Sequence, residues 1–388
     1  MSAKPIESVA GSFGEPKRRV AVFNTNYLLY SQTFVYEQLV NHERYVPELF
    51  CWRTKNLEWF PFNPIHRANA AYGFTRYSPA FFRRFRDVRF SLVHAHFATG
   101  AVYALPYVQR FELPFVVTFH GYDVPLLWNA QRFQPEFWPF LLHSKEVLER
   151  MTLGLCASTE LKELLISHGV PEDKLRVHRL GIDLSRFNPK SVRPEGPVRL
   201  CIVGRFVEKK GLDYAIRAYA PHASEDVLLD IIGDGPLAGD LHALVARLGL
   251  ERFVSFLGVL RPEEVAERVS ASDVLLAPSV VTRSGDRESG LIVAKEAAAC
   301  GVPVLATMHG GLPDIIEDGH TGFLVPERDV QRLSERLGRL IADPALRRKM
   351  GGAARLKMER EYDVRERVTE LEGLYDEAIA RHVRPAGG

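Results

Sequence analysis

Cysteine is scarce in this 388-residue chain. Its four copies, Cys51, Cys156, Cys201 and Cys300, stand far apart, with no C-x-x-C and no Cys/His pairing at metal spacing. That argues against a disulfide framework or a zinc ribbon and for buried free thiols in a reducing compartment. Charge of one sign is equally lacking. Lys+Arg number 50 against 48 Asp+Glu, so the net +2 gives no global field of the kind that marks a nucleic-acid binder. No stretch approaches the ~20 apolar residues needed to span a bilayer. The opening MSAKPIESVAGSFGEPKRR has no apolar segment of the secretory type, and residues 1–17 read as a disordered lead-in. No G-x-G-x-x-G opens either half, which speaks against a nicotinamide-dependent oxidoreductase. No acidic D-x-D-like pair stands out for Mg²⁺, so neither a metal nor a cofactor is expected. The expected location is cytoplasmic, with a peripheral position at the inner face of the membrane as its variant.

What is present is alternation. Short apolar runs recur at 19–23, 91–96, 115–120, 151–158 and 174–182, and again at 198–204, 226–233, 253–258, 272–279 and 302–307. Amphipathic stretches lie between them, including 32–42, 160–168, 212–220, 235–248 and 289–300. This pattern predicts parallel strands with helical crossovers, hence α/β sheets covered on both faces. So many units exceed one doubly wound sheet. The break falls at 188–197, NPKSVRPEGP, which is rich in proline and without apolar periodicity. The expected organisation is two Rossmann-like domains, 18–187 and 198–362, facing each other across a cleft, followed by a helical segment at 363–388. Ligands of such sheets bind beyond the carboxyl ends of the strands, here inside the cleft.

The second half carries the informative motifs. The run 198–203 ends in Gly204-Arg205, and Lys210-Gly211 opens the next helical stretch. A glycine frees the strand end for a turn, a helix N-terminus favours an anion, and Arg205 with Lys210 would bring two positive charges to a diphosphate. The plainer alternative is a solvated basic turn. Gly233-Asp234-Gly235-Pro236 repeats the plan, with Asp234 a candidate helix cap and simple turn chemistry as the alternative. Glu288 and Glu296 are eight apart. Glu288 is expected on a loop broken by Gly290, and Glu296 a turn and a half inside a helix flanked by alanines. A carboxylate beside that apolar face wants a fixed hydroxyl partner such as a ribose diol, unless it simply faces solvent. A hydrolase reading of two carboxylates lacks an apolar pocket that would raise one pKa.

In the first half, His120-Gly121-Tyr122-Asp123 closes the run 115–120. A lone His is commonly structural. Gly121 and Asp123 shift the balance, since Asp123 could orient the imidazole or receive a hydroxyl proton. His94 and His96 share one strand face and are read as structural. Aromatics crowd two stretches, Trp59 to Phe85 with several arginines and Trp128 to Phe140. They are either core around loops or a basic, aromatic surface that meets anionic lipid headgroups.

Taken in order, these residues resemble the retaining GT-B glycosyltransferases of family 4. The likeness covers nearly the whole chain and is densest from about 150 to 330. It rests on Gly181-Ile182-Asp183…Arg186-Phe187, Gly204-Arg205…Lys210-Gly211, Gly233-Asp234-Gly235-Pro236, Glu288…Glu296, His94-Ala-His96-Phe97 and Thr118-Phe119-His120-Gly121. The resemblance implies that Gly204, Arg205, Lys210 and Gly233 line a donor diphosphate. It also implies that Glu296 holds the ribose and that Glu288 meets sugar hydroxyls. His120 would then lie beside the donor sugar, and the backbone of Gly290, Leu291 and Ile292 would cap the phosphates. His120, Glu288, Arg205 and Lys210 are the residues expected in catalysis. The family often has a glycine-rich first loop; here residues 24–34 read NTNYLLYSQTF without glycine, leaving Asn26 and Asp123 as acceptor candidates. That loop and Gly285-Asp286-Arg287-Glu288 look closest to exopolysaccharide (colanic-acid-type) members. The implied partners are a UDP- or GDP-sugar, a saccharide or lipid-linked acceptor, and the membrane surface as a peripheral contact, with no nucleic acid. A nucleotide-sugar epimerase of similar fold and a non-catalytic docking subunit are the rival readings.

Overall fold

The computed structural model describes residues 17–28, 32–189 and 196–383. The lead-in expected before residue 17 and most of the proline-rich 188–197 segment lie outside the described residues. The strands are β1 (Arg18–Phe23), β2 (Asn26–Tyr27), β3 (Tyr45–Cys51), β4 (Arg53–Thr54), β5 (Ile65–Arg67), β6 (Leu92–His96), β7 (Phe115–Phe119), β8 (Leu153–Cys156) and β9 (Leu175–Val177). They continue with β10 (Val198–Val203), β11 (Val227–Ile232), β12 (Val254–Gly258), β13 (Val274–Ala277), β14 (Val304–Thr307) and β15 (Gly322–Val325). A 7-stranded sheet runs β5-β3-β1-β6-β7-β8-β9, a 6-stranded sheet runs β12-β11-β10-β13-β14-β15, and β2 pairs with β4 alone. The strand pairs are parallel. Both large sheets step outward from their first strand and then reverse, the doubly wound order, with switch points between β1 and β6 and between β10 and β13.

Parallel strands are buried on both faces, so β6, β7, β8, β13 and β14 are buried along their whole length. The apolar-run pattern misses β3, β5 and β15 of the two large sheets, and the β2–β4 ribbon. In β3 the run is interrupted by Pro47 and Glu48. Glu48 is nevertheless fully buried, accepting from Arg84 Nε (2.8 Å) and Nη2 (2.7 Å), Arg19 Nη1 (2.7 Å) and His66 Nε2 (2.8 Å). Burial alone would raise its pKa, but these partners hold it down to about 2.

The chain crosses between the two sheets twice, and the crossings touch. Ile182 N donates to Tyr362 O (2.9 Å) and Val364 N to Ile182 O (3.0 Å). Gly181 allows this approach, because a Cβ there would sit 2.6 Å from Val364 Cα. The final helix, Val364–Val383, then lies on the first sheet's lobe, with Leu371, Tyr375 and Ala378 in its core. Glu372 accepts from the backbone N–H groups of Glu43, Arg44 and Tyr45, and Tyr375 Oη lies 2.7 Å from His94 Nδ1. His94 Nε2 bonds Thr118 Oγ1 (2.7 Å), so this ring ties a strand to the last helix.

Candidate active site

The carboxyl ends of β10 and β11 are pressed together by glycine. A Cβ on Gly233 would lie 2.9 Å from the Gly204 carbonyl carbon and closer still to its oxygen, and one on Gly204 would touch Lys210 Cε at 3.1 Å. Gly211, at φ +61°, caps the helix Leu212–Tyr219 and packs on Pro278, the residue just after β13. This loop turns Lys210 over the switch point, where Nζ lies 3.1 Å from Glu288 Oε2. Lys209 reaches Glu288 Oε1 (3.4 Å) and Asp286 Oδ2 (3.2 Å). Burial raises the Glu288 pKa, and Lys210 and then Lys209 more than reverse this, to about 2. Arg205 stands exposed at the strand end, its guanidinium without a bonding partner among the described residues. Asp234 caps no helix. Its Oδ1 accepts from Gly235 N (2.7 Å), and the helix Ala238–Arg247 begins beyond it with no side-chain cap. The Gly235-Pro236 turn between them moves the helix start too far along for Asp234 to reach.

Glu288 sits on a loop, as its spacing from Glu296 requires. Leu291 follows at φ +24°, ψ +62°, a sparsely populated conformation for a branched residue, and the helix Ile292–Ala299 starts immediately after it. Gly290 packs its Cα side against Leu180. Glu296 lies in the second turn of this helix, half-buried, and its carboxylate has no protein partner among the described residues. Burial raises its pKa to about 7, against a small opposing pull from Arg186. Its neighbour Lys295 is buried, donates to Leu180 O (2.8 Å) at the inter-lobe crossing and lies 5.1 Å over the Tyr362 ring.

The first lobe meets this loop at His120. Ser289 Oγ donates to the His120 carbonyl, and Gly121 leaves room for Arg287 O and Ser289. Arg287 Nη1 reaches Glu160 Oε1 (2.7 Å), Asn129 Nδ2 donates to Ser284 O (2.9 Å), and Asp314 accepts from Thr159 N and Oγ1 (2.8 Å each). The lobes are therefore latched along the 284–289 loop and again at Asp314 on the helix Leu312–Ile315. The His120 ring is nearly buried between Phe97 (4.4 Å) and Phe34 (4.6 Å), with Nε2 3.1 Å from His96 Nδ1 and with Nδ1 lacking a partner. Burial keeps it neutral, and the His96 pKa falls to about 3 for the same reason. Phe97 adopts φ +64° at the switch point of the first sheet.

The acceptor candidates fare differently. Asp123 is fully buried, and its oxygens accept from His120 N (3.1 Å), Gly121 N (2.9 Å) and Ala98 N (2.8 Å). It fixes the His120–Gly121 turn through the backbone; it neither touches the imidazole nor faces the cleft as a free base. Asn26 pairs with Arg53 in the β2–β4 ribbon. Two residues earlier, Asn24 is buried beyond the end of β1 with its Nδ2 unpartnered.

Three elements of the site have no role in the motifs read from the sequence: Lys209 and Ser289, which sit inside those motifs, and His309-Gly310-Gly311, which lies outside them. Glu288 N donates to His309 Nε2 (2.9 Å), which places the ring proton on Nδ1, 2.7 Å from Glu327 Oε1. A Cβ on Gly310 would lie 2.9 Å from the Glu288 carbonyl carbon, and one on Gly311 3.0 Å from that of Ser289, with the oxygens nearer. The signal was present, since a glycine pair follows β14 much as glycines follow β10 and β11.

Residues 185–357 match the model described as glycosyl transferases group 1, and residues 38–186 match that of Glycosyltransferase Family 4. A putative colanic acid biosynthesis glycosyltransferase, WcaL of Salmonella typhimurium, is 35% identical over 222 residues, 56% of this chain and 53% of that protein. The chain thus spans about half the length of that relative. D-inositol 3-phosphate glycosyltransferase of Pseudarthrobacter chlorophenolicus is 30% identical over 78% of this chain and 74% of its own length. Among solved structures, Anabaena Alr3699/HepE in complex with UDP superposes with a TM-score of 0.75 at 18% identity, covering 93% of this chain and 100% of that one, a likeness of fold. With both lobes matched in chain order, this chain belongs to the group 1, family 4 glycosyltransferases.

Proposed function

We propose that the protein moves a sugar from a UDP- or GDP-sugar to a saccharide or lipid-linked saccharide acceptor, with retention of configuration, in exopolysaccharide assembly. The observation that carries this reading is Glu288. Its carboxylate is gripped by Lys209 and Lys210 on the second lobe while the next residue, Ser289, is bonded to His120 of the first. A donor in the cleft would let sugar hydroxyls donate to Glu288 as Lys210 swings to the diphosphate, joined there by the free Arg205. The ribose diol suits the partnerless Glu296, and a sugar hydroxyl suits the unpartnered, buried Nδ1 of His120 once the ring is uncovered. The relatives named for colanic acid and inositol phosphate glycosyl transfer support the class of reaction, and HepE was solved with UDP.

In this mechanism the bond from the anomeric carbon to the diphosphate oxygen breaks and its electrons stay on the phosphate. Lys210, Arg205 and the N-terminal N–H groups at Ile292 stabilise that charge, the preorganised term that usually dominates. The acceptor oxygen attacks the same face, and its proton passes to the departing phosphate. His120, kept neutral, contributes hydrogen bonding and leaves proton transfer to the phosphate. The latch through Arg287 and Ser289 excludes water.

The test is nucleoside diphosphate release from UDP- and GDP-sugars with EDTA present, for wild type, Lys210→Ala and Glu296→Ala. Slow release from one donor, lost in both variants, is the expected result. An isomerised donor without release would favour the epimerase, and failure to bind any nucleotide sugar would favour a docking subunit.

A further inference from the structure

The aromatic stretches divide once folded: Phe60, Phe81, Phe85 and Phe140 are core, while Phe74, Phe133 and Trp138 are exposed. Among the described residues no helix is long and apolar enough to cross a membrane. Neither feature bears on the cleft as directly as one buried charge, Lys295. Its ammonium makes a single hydrogen bond among the described residues, to Leu180 O (2.8 Å). Leaving water for one carbonyl is costly for a cation. Burial pulls its pKa down to about 7, with Asp314 opposing and Arg179 assisting. A leucine or methionine would fill similar space without that cost, so what the lysine adds is direction.

Lys295 joins three parts of the molecule. Leu180 belongs to the first lobe's core and stands immediately before the Gly181–Ile182 crossing. Lys295 Nζ lies 5.1 Å over the ring of Tyr362, whose carbonyl accepts from Ile182 N at the second crossing. The ammonium is also near enough to the His120 and His178 rings to disfavour their protonation. It is therefore at the hinge and under the cleft at once.

The helix Ile292–Ala299 needs such a fixing point. It is short, and it turns Ala294, Ala297, Ala298 and Ala299 into the core of its own lobe. Alanines present shallow ridges, which set the position of a helix along its neighbours only loosely. Arg355 Nη1 holds the far end, at Ala299 O (2.8 Å). Ile292 and Lys295, three apart and so on one face, supply the contacts with the first lobe: Ile292 reaches its core and Lys295 reaches Leu180. Glu296 follows Lys295 directly, so a helix that slides or turns carries that carboxylate with it.

We infer that Lys295 is a positioning residue for the donor site: by binding the Leu180 carbonyl at the hinge, it fixes the helix that presents Glu296 to the nucleoside. The role rests on the reading of Glu296 as the ribose contact; the attachment itself does not.

The test combines amide hydrogen exchange without ligand and calorimetric titration of UDP and GDP. The proteins are wild type, Lys295→Met, Glu296→Ala, the double variant and Glu48→Gln. Methionine is close to lysine in length and removes the burial cost, so the fold is expected to persist. Glu48→Gln weakens a buried charge network of the first lobe and controls for general loss of stability. In Lys295→Met the 292–299 amides should exchange about tenfold faster than in Glu48→Gln, and affinity for the preferred nucleotide should fall about tenfold. With Glu296→Ala already present, Lys295→Met should weaken binding by no more than about twofold, because the two act as one unit. Additive losses overturn the inference, as does exchange at 292–299 equal to the control's. Wild type that binds neither nucleotide, with exchange loosened as expected in Lys295→Met, overturns the transfer reading and leaves the attachment to the hinge standing.

Discussion

Gly310→Ala isolates the packing that shapes the Glu288 loop, and Gly319→Ala is its control. Both glycines take left-handed backbone, at φ +54° and +77°, so both substitutions cost roughly 1 kcal/mol in conformational strain. They differ in surroundings. The added methyl at Gly319 meets nothing within 4 Å, whereas at Gly310 it falls 2.9 Å from the Glu288 carbonyl carbon with the oxygen nearer. Since ordinary contact begins near 3.4 Å, the Glu288–Ser289 backbone must retreat by more than an ångström to clear its carbonyl oxygen. A displacement of about 1 Å at a catalytic group costs on the order of 10²-fold in rate. The urea midpoint should therefore fall in both variants, and further in Gly310→Ala, where the clash adds to the strain. Donor turnover should fall about 10²-fold in Gly310→Ala alone, with kcat/KM carrying the loss. Turnover in Gly310→Ala equal to that of Gly319→Ala would refute the claim that this contact sets the position of Glu288.

Other predictions follow from the same geometry. Glu296 has its pKa raised to about 7 by burial, so the folded state holds a proton that the unfolded state gives up near 4.5. Its effect on stability is to lower it as pH rises from about 4.5 to 7, and Glu296→Gln should flatten that slope in urea titrations. Donor affinity, which needs the ionised carboxylate, should rise through pH 7 in wild type and not in Glu296→Gln. Glu48 behaves in the opposite sense: its pKa is held at about 2, so its contribution is complete above about 4.5 and is lost as pH falls towards 2. Glu48→Gln should cost about 2 kcal/mol at neutral pH, below the usual buried-pair range because Arg19 and Arg84 stay partly solvated. Ser289→Ala removes the bond to the His120 carbonyl, worth about 0.5–1.5 kcal/mol. The ratio of transfer to donor hydrolysis, measured by product chromatography, should fall up to tenfold.

The alternation of apolar runs and amphipathic stretches determined two doubly wound sheets, because a parallel strand buried on both faces must be continuously apolar and must be followed by a crossover. The glycine-ended strands and the Glu288–Glu296 spacing located the second lobe's edge for a related local reason: strand ends, turns and helix starts are written in adjacent residues. What adjacency cannot encode was decided by tertiary structure. β3 was hidden because its Glu48 is neutralised by Arg19, His66 and Arg84, two of them remote in sequence. Asp123 looked like a free base until three backbone N–H groups closed on it. Lys209 became a second grip on Glu288, and His309 its support, only when loops 70 to 80 residues and 21 residues away arrived at the same switch point. Which aromatics would be core and which exposed was likewise undetermined by composition, since the same phenylalanine packs inside or faces out according to the element beside it.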